Sequence, residues 1–128
     1  MEEIKISAKG QELTLYMVEH FLTRLDTRIP GVKLSDLPEI IRTSYYIDRR
    51  PNQLFHLLKH GVKASYYMWN KPKGVVMVVE ENENTRKVNV LKTAYKAKTC
   101  FWIHDWAKKH PFKTWKFVGD VIKELKDL

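Results

Sequence analysis

Apolar residues recur at helical spacing in the first quarter of the chain. Between positions 12 and 28 they fall on one broad face of a helix with 3.6 residues per turn. This face comprises Leu13, Met17, Val18, Phe21, Leu22 and Leu25. Pro30 and Gly31 follow, and because proline disfavours helical geometry in the residue before it, we expect the helix to end there. A short strand, IKISA, is predicted before the helix, ended by Gly10.

Two shorter segments continue the helical pattern. The stretch LSDLPEIIR predicts a second helix, with Ser35 or Asp36 as its N-cap. The stretch RRPNQLFHLLKHG predicts a third helix, because Pro51 suits a first turn and Gly61 suits a C-terminal cap. Residues 1–62 are therefore interpreted as the helical part of the protein.

The hydrophobic period changes to two from residue 63 onward. VKASYYMW predicts a strand, and GVVMVVE predicts a central strand buried on both faces. RKVNVLKTAY predicts another strand, in which Ala94 points to one face while Leu91, Thr93 and Tyr95 point to the other. The turns NKPKG and ENENT are short, and such connections imply an antiparallel meander over residues 63–96.

Residues 97–128 return to helical spacing. TCFWIHDWAKKH and PFKTWKFVGDVIKEL predict two amphipathic helices, the second beginning at Pro111. We therefore predict an α+β protein, with N-terminal helices packed on a small antiparallel β-sheet and two extra C-terminal helices. A chain of 128 residues suits one domain, 1–128.

Composition indicates a class of partner. The formal net charge of +8 and the pI of about 9.6 favour contact with polyanions, of which nucleic acid is the usual one in a cytoplasm. An anionic membrane is the alternative, but the basic residues are spread along the chain rather than gathered on one amphipathic helix. We expect neither a secretory signal nor a membrane span, which needs roughly 20 apolar residues. With Cys100 as its single cysteine, the protein is expected to be cytoplasmic.

Three polar residues recur every four positions in the first predicted helix. His20, Arg24 and Arg28 form one row, and at 100° per residue its centre lies roughly 80° from the centre of the apolar face. The row therefore flanks the buried face, where a side chain is half desolvated and still within reach of a ligand. The alternative is a solvated face, with the arginines paired to Glu19 or Asp26.

The row contains the groups that metal-free cleavage of RNA requires. A general base takes the proton of a ribose 2′-hydroxyl, which attacks the adjacent phosphorus and leaves a 2′,3′-cyclic phosphate. Histidine suits the base because its unperturbed pKa is near 6.5. Arginine suits the phosphate because its planar fork holds two oxygens as charge develops on them. In this hypothesis His20 is the base or acid, and Arg24 and Arg28 stabilise the charge.

Two stretches resemble one family of nucleases. HFLTRLDTRIPGVKLSDLPEIIR is similar to the N-terminal helical signature of the barnase–EndoU–colicin–RelE superfamily of endoribonucleases, and GVVMVVE with RKVNVLKTAY resembles its paired central strands. The resemblance covers roughly residues 18–96 and implies a RelE/RegB-like fold with endoribonuclease activity. It also implies that Thr93 and Tyr95 on the last strand face the row, with Lys92 nearby. Residues 97–128 extend beyond the resemblance.

The remaining histidines, tryptophans and lysines allow several interpretations. His56 and His60 have the spacing of a zinc pair, but no third ligand is obvious, so no metal site is predicted. His104 and His110 suit the end of a basic helix. Near the C terminus, tryptophans are candidates either to stack on unpaired bases or to pack against the sheet, and lysines are candidates to contact backbone phosphates. They are Trp102, Trp106, Trp115, Lys108, Lys109, Lys113 and Lys116.

The leading hypothesis is a cofactor-free, metal-independent endoribonuclease acting on mRNA or other single-stranded RNA. Such a protein is either a toxin with a cognate antitoxin or inhibitor, or a phage regulatory nuclease, and the ribosome is another candidate partner. One alternative is a non-catalytic regulator that binds nucleic acid with the same fold and charge. Another is a protein-interaction domain whose aromatic C-terminal helices form the interface.

Overall fold

The β-sheet lies at the centre of the structure, a computed structural model that describes residues 2–48, 64–82, 84–85 and 87–127. Within these residues the strands are β1 (Glu2–Ala8), β2 (Gln11–Met17), β3 (Tyr45–Asp48), β4 (Ala64–Asn70), β5 (Val75–Glu80) and β6 (Val90–Lys96). The helices are α1 (Glu19–Arg28), α2 (Leu37–Arg42), α3 (Phe101–Lys109) and α4 (Ile122–Lys126), with 3-10 turns at Leu34–Asp36, Ala97–Thr99, Phe112–Thr114 and Val118–Asp120. The α+β class is confirmed.

The described strands form one sheet in the order β1-β2-β6-β5-β4-β3. Strands β4, β5 and β6 are antiparallel neighbours, as the meander predicted. The neighbours β2 and β6 are parallel, and their register joins Tyr16 to Val90 and Met17 to Leu91. The N-terminal hairpin is thereby attached to the side of the meander.

A β-hairpin opens the described chain, so residues 1–62 are not mainly helical as predicted. Its first strand, β1, confirms the strand predicted over IKISA. Lys9 and Gly10 both have positive φ, 52° and 76°, which is the geometry of a two-residue type I′ turn. In β2 the residues Leu13, Leu15 and Met17 are buried, while those between them are partly exposed. The prediction of helix from residue 12 is therefore wrong, and α1 begins at Glu19. Leu13 and Met17 lie four positions apart, so their spacing fits either structure.

The sheet has two differently packed faces. The helix-covered face lies under α1, α2 and α4. Its core is formed by Ile6, Leu13, Leu15, Met17, Phe21, Leu25, Leu37, Ile40, Ile41, Tyr66, Met68, Val75, Met77, Val79, Leu91, Ala94, Val118, Val121, Ile122 and Leu125. The aromatic face lies under α3 and the chain that follows it. Its buried members are Ile47, Trp69, Val76, Ala97, Cys100 and Ile103. Strand β5 contributes to both faces, so its predicted burial on both sides is confirmed.

A bulge in β6 changes its alternation. Val78 pairs with Thr93, but the next residue, Val79, pairs with Leu91. Lys92 is the extra residue, so Leu91 and Ala94 both belong to the helix-covered core. The prediction that these two side chains point to opposite faces is therefore wrong.

The C-terminal residues are helical only in part. The helix predicted after Thr99 is confirmed as α3. In place of one helix from Pro111, the chain makes two 3-10 turns and the short helix α4. Residues 115–117, between the two turns, are extended because this part of the chain pairs with β3. The N–H of Tyr46 donates to the carbonyl of Lys116 at 2.8 Å, and the N–H of Val118 donates to the carbonyl of Ser44 at 2.8 Å. These long-range hydrogen bonds override the local apolar pattern.

The other helical predictions have different outcomes. The helix predicted over LSDLPEIIR is confirmed as a 3-10 turn followed by α2, although Asp36 at its N-cap position makes no side-chain cap bond. The third predicted helix, with His56 and His60, lies outside the described residues.

Candidate nucleic-acid interface

Helix α1 lies beside β6, where β2 ends. The N–H of Val18 donates to the carbonyl of Leu91 at 3.4 Å, and at the other end of the helix Nη1 of Arg28 donates to the carbonyl of Ala94 at 2.8 Å. The helix thus follows the edge of β6 that β2 leaves unpaired among the described residues. This placement gives the polar row of α1 a strand as its neighbour.

The polar row borders the buried side of α1, as its spacing predicted. Phe21 and Leu25 are buried, Arg24 and Arg28 are half-buried, and His20 is exposed. The row therefore passes from solvent at the start of the helix toward the sheet at its end.

Arg28 is held against β6 by two contacts. Besides its bond to the carbonyl of Ala94, its guanidinium carbon lies 4.8 Å from the ring centroid of Tyr95. Cys100 is close by. Burial raises the pKa of its thiol, while a hydrogen bond with Thr99 and the Arg28 charge lower it to a smaller extent. A guanidinium has five N–H donors, so the bond to Ala94 orients Arg28 and leaves further donors for a ligand.

The rest of the predicted catalytic set is not gathered around Arg28. Thr93 pairs with Val78 and Tyr95 pairs with Val76, which places both side chains away from the helix-covered core. Among the described residues no hydrogen bond joins His20 or Arg24 to Thr93 or Tyr95, and Nε of Arg24 is buried without a hydrogen-bond partner. The structure thus brings Arg28 to Tyr95, and the roles proposed for the full set stay predictions.

Positive charge is concentrated in residues 92–116, which we call the basic segment. It contains seven lysines and one acidic residue, Asp105, and so carries six of the eight net charges of the chain. The lysines are Lys92, Lys96, Lys98, Lys108, Lys109, Lys113 and Lys116. Six of them are exposed and Lys92 is half-buried. The ion pairs among residues of the described ranges, such as Lys9–Asp120, lie outside this segment.

Exposed aromatic rings accompany these lysines. Phe101 is 78% exposed and Phe112 is 67% exposed, and Tyr95, Trp102 and Phe117 are exposed to a smaller degree. Large apolar side chains are ordinarily buried, so a group of exposed rings beside lysines is chemically suited to a ligand with flat apolar faces and negative charge.

A cluster of packed rings supports the exposed ones. The ring of Trp115 lies 5.2 Å from that of Trp106, 5.0 Å from that of Tyr45 and 5.0 Å from that of Phe112. Phe117 stacks on Tyr45 at 5.0 Å. Trp106 and Trp115 are half-buried here, so they pack against neighbouring rings, which agrees with the alternative interpretation of their spacing.

The remaining predicted residues also lie on or beside α3. Trp102 rests on Tyr67, with 4.0 Å between ring centroids, and keeps part of its surface exposed. His110 stacks on Trp106 at 4.7 Å, and a nitrogen of its ring lies 2.9 Å from the Trp106 carbonyl. This contact fits the predicted position of His110 at the end of a basic helix.

Sequence reasoning missed several residues of this surface. Lys96, Lys98, Phe101, Phe112 and Phe117 were not singled out, although all are exposed. A count of charges in a sliding window would have found the lysines, because residues 92–116 contain a single acidic residue. The exposure of the phenylalanines had no sequence signal, since their spacing equally suits a buried helix face.

No family model, curated protein or solved structure matches the chain. No helix in the described ranges has the length and apolar character needed to cross a membrane. Nor do those ranges hold a group of three His, Cys, Asp or Glu side chains suited to a metal ion.

Proposed function

We propose that the protein binds single-stranded RNA through the basic segment. The observation that carries this proposal is the concentration of most of the net charge in one segment that also bears exposed aromatic rings. Lysines neutralise phosphates and release counterions, and exposed rings stack on bases. A duplex keeps its bases stacked inside, so rings such as Phe101 and Phe112 favour an unpaired strand.

Salt dependence tests the role of the lysines. We expect a fluorescent 12-nucleotide RNA to bind with an affinity that falls as salt rises. Replacing Lys108 and Lys113 by glutamine lowers the slope of log K against log salt by about 1.4, or about 0.7 for each lost phosphate contact. The matched control replaces Lys33 and Lys123, two exposed lysines outside the segment. Equal losses in both variants, or the absence of RNA binding, would contradict the proposal.

Aromatic truncation tests the role of the rings. Phe112→Ala is expected to weaken single-stranded RNA by about 5- to 150-fold, which corresponds to about 1–3 kcal/mol for one stacked base. Leu34→Ala is the control, because Leu34 is an exposed large apolar residue outside the segment. A duplex of the same sequence should bind more weakly than the single strand. Unchanged affinity in the variants at both Phe101 and Phe112 would exclude base stacking.

Cleavage of the bound RNA is a second candidate function. The contact between Arg28 and Tyr95 favours it, because it joins the polar row of α1 to the basic segment. The resemblance to the barnase–EndoU–colicin–RelE superfamily, with its RelE-like arrangement of helices and sheet, is its other support. His20 takes the proton from the 2′-hydroxyl, the 2′-oxygen bonds to phosphorus, and the bond to the 5′-oxygen breaks. The departing 5′-oxygen takes a proton from water and leaves as a hydroxyl. Arg24 and Arg28 stabilise the charge on the phosphate oxygens.

A cleavage assay separates the two candidates. Labelled RNA incubated with the protein in EDTA should give fragments with a 2′,3′-cyclic phosphate, and a 2′-deoxy nucleotide at the cleavage position should block the reaction. His20→Ala and Arg24→Ala should abolish cleavage while RNA still binds the basic segment. RNA that binds but stays intact would leave the binding function alone. Addition of ribosomes to the same assay tests whether cleavage of mRNA depends on the ribosome.

A further inference from the structure

The sheet divides into two branches between β2 and the chain that leads into β6. The described residues pair β2 with β6 through Tyr16 and Met17, and toward the turn of the hairpin β2 continues without a neighbour on that side. A pocket of about 430 Å³ opens between β2 and residues 87–89, and we call it the fork. Its volume lies in the range of ligand sites, roughly 300–1,000 Å³.

Asn89 holds the fork open. It is a non-glycine residue with φ of 60°, which turns the chain away from β2. Its buried side chain accepts a hydrogen bond from the hydroxyl of Tyr66 at 2.9 Å and donates one to the carbonyl of Leu125 at 3.1 Å. Its own carbonyl accepts the N–H of Tyr16 at 3.1 Å. The division of the sheet is thus fixed by buried hydrogen bonds.

The β2 side of the fork presents the backbone of Glu12 and Thr14. The two-residue turn makes Ala8 and Gln11 a hydrogen-bonded pair, and in an antiparallel ladder such pairs alternate with pairs whose N–H and C=O point outward. Glu12, Thr14 and Tyr16 are the outward residues of β2. Tyr16 confirms this assignment, since its N–H bonds to Asn89 across the fork. The edge at Glu12 and Thr14 has no strand partner among the described residues, so it is open to one.

Charge at the fork selects an acidic ligand. Lys87 lies over the ring of Tyr16, with its ammonium nitrogen 4.1 Å from the centroid, and Lys126 donates to the side-chain oxygen of Gln11 at 3.2 Å. Both lysines line the pocket. The carboxylate there, Glu12, lies 3.6 Å from Lys5, which offsets its charge. Two ammonium groups therefore remain to meet negative charge.

We propose that the fork binds an extended acidic peptide of a partner protein, which adds to the sheet as a strand beside Glu12 and Thr14. Backbone N–H and C=O groups of the peptide pair with those of β2, and its carboxylates meet Lys87 and Lys126. A peptide fits better than RNA, because a sugar–phosphate backbone lacks alternating amide groups and the exposed aromatic rings lie elsewhere. The proposal is independent of RNA binding, since both lysines lie outside the basic segment.

The test uses the synthetic peptide acetyl-Thr-Glu-Val-Glu-Val-Glu-Thr-amide and the ¹⁵N-labelled full chain. Titration should shift the amide signals of Glu12, Thr14 and Lys87, and amide hydrogen exchange at Thr14 should slow on saturation. Two further peptides carry N-methyl groups at alternate positions. Because one edge of an added strand pairs with β2, one of the two should bind at least about tenfold more weakly than the other. Equal affinity of both, or no binding, would overturn the proposal.

Matched variants separate this site from the RNA surface. Replacing Lys87 and Lys126 by glutamine should weaken the peptide about fivefold or more and leave RNA affinity unchanged, since two charge contacts are lost. Replacing Lys109 and Lys113 by glutamine should weaken RNA binding and leave the affinity for the peptide unchanged. Equal peptide losses in both variants would indicate unspecific charge attraction and overturn the proposal. Concentration-dependent shifts at Thr14 without peptide would assign the fork to a second copy of the chain instead.

Discussion

The two faces of the sheet are built from neighbouring residues and have different properties. Met68 and Trp69 are adjacent on β4, yet Met68 lies in the helix-covered core and Trp69 in the aromatic cluster. The first core contains mainly aliphatic side chains sealed by α1, α2 and α4. The aromatic cluster is bordered by Phe112 and Phe117, whose rings are exposed to solvent. One face is therefore fully buried, while the other leaves apolar surface exposed to solvent.

The difference has a physical basis in the side chains. Aliphatic residues gain most from complete removal from water, about 25 cal/mol for each Å² of apolar surface buried. Large rings gain from partial burial, and their few rotatable bonds limit the entropy lost when one face binds a ligand. The helix-covered face is therefore expected to account for most of the folding stability, and the aromatic face for most of the proposed RNA binding.

Truncating one phenylalanine on each face gives the largest expected contrast. Phe21, a residue of α1, is fully buried against the sheet, so Phe21→Ala should lower the free energy of unfolding by about 3–5 kcal/mol. Phe112 is exposed, and Phe112→Ala should change it by no more than about 0.5 kcal/mol. Urea unfolding followed by circular dichroism measures both. Similar losses in the two variants would remove the distinction between the faces.

Tyr66 tests the polar link inside the helix-covered core. Its buried hydroxyl bonds to Asn89, so Tyr66→Phe leaves an acceptor unsatisfied and should cost about 1–3 kcal/mol of unfolding free energy. Burial, and to a smaller degree Tyr46, raises the pKa of Tyr66 far above its usual value. The phenol therefore ionises in the unfolded chain first, and stability falls as pH rises above about 10.

The alkaline slope supplies the measurement for Tyr66. Each proton released only on unfolding contributes up to about 1.4 kcal/mol per pH unit. Urea unfolding at pH 9, 10 and 11 should show a shallower decline for Tyr66→Phe than for the wild type. The matched control is Tyr95→Phe, which changes an exposed hydroxyl on the other side of the sheet. Parallel slopes for Tyr66→Phe and the wild type would contradict the buried assignment.

The hydrophobic pattern correctly predicted the elements whose structure depends on residues close together in the sequence. The apolar run of β5, the helix α3 and the short α2 follow from spacing within a few residues. The β2 strand also had such a signal, since Leu13, Leu15 and Met17 alternate after a Lys–Gly turn, but the helical spacing of Leu13 and Met17 hid it. The extended chain before Val118 had none, because its structure depends on pairing with β3.

The candidate site divides in the same way. The position of His20, Arg24 and Arg28 at the border of a buried face follows from helix geometry alone. The hydrogen bond from Arg28 to Ala94 does not, because the carbonyl is available only where β2 stops pairing with β6. The bulge at Lys92 likewise depends on the partner strand β5. Long-range register thus determines what a predicted side chain meets.

A double-mutant cycle tests the contact that joins the faces at the edge of β6. Arg28→Ala and Tyr95→Ala should show a coupling energy of about 0.5–1 kcal/mol in unfolding free energy, the usual size for an exposed cation–π pair. Arg24→Ala paired with Tyr95→Ala is the control, and its coupling should be near zero. Equal coupling in the two cycles would mean that Arg28 has no special contact with Tyr95.

The smallest expected effect comes from the ion pair between Lys9 and Asp120. A hydrogen bond with Lys9 at 2.8 Å is the main cause that holds the pKa of Asp120 below its usual value. A carboxyl with a lowered pKa stabilises the fold above its unfolded pKa, and this contribution is lost as pH falls through the folded value. Both side chains are largely in water, so Asp120→Asn should cost only about 0.2–1 kcal/mol at pH 6 and nothing near pH 2.

Asp105→Asn, in the basic segment, controls for loss of a negative charge. Because salt screens exposed pairs, the cost should also shrink in 1 M NaCl, and a cost that persists at pH 2 would assign the effect of Asp120 to packing instead.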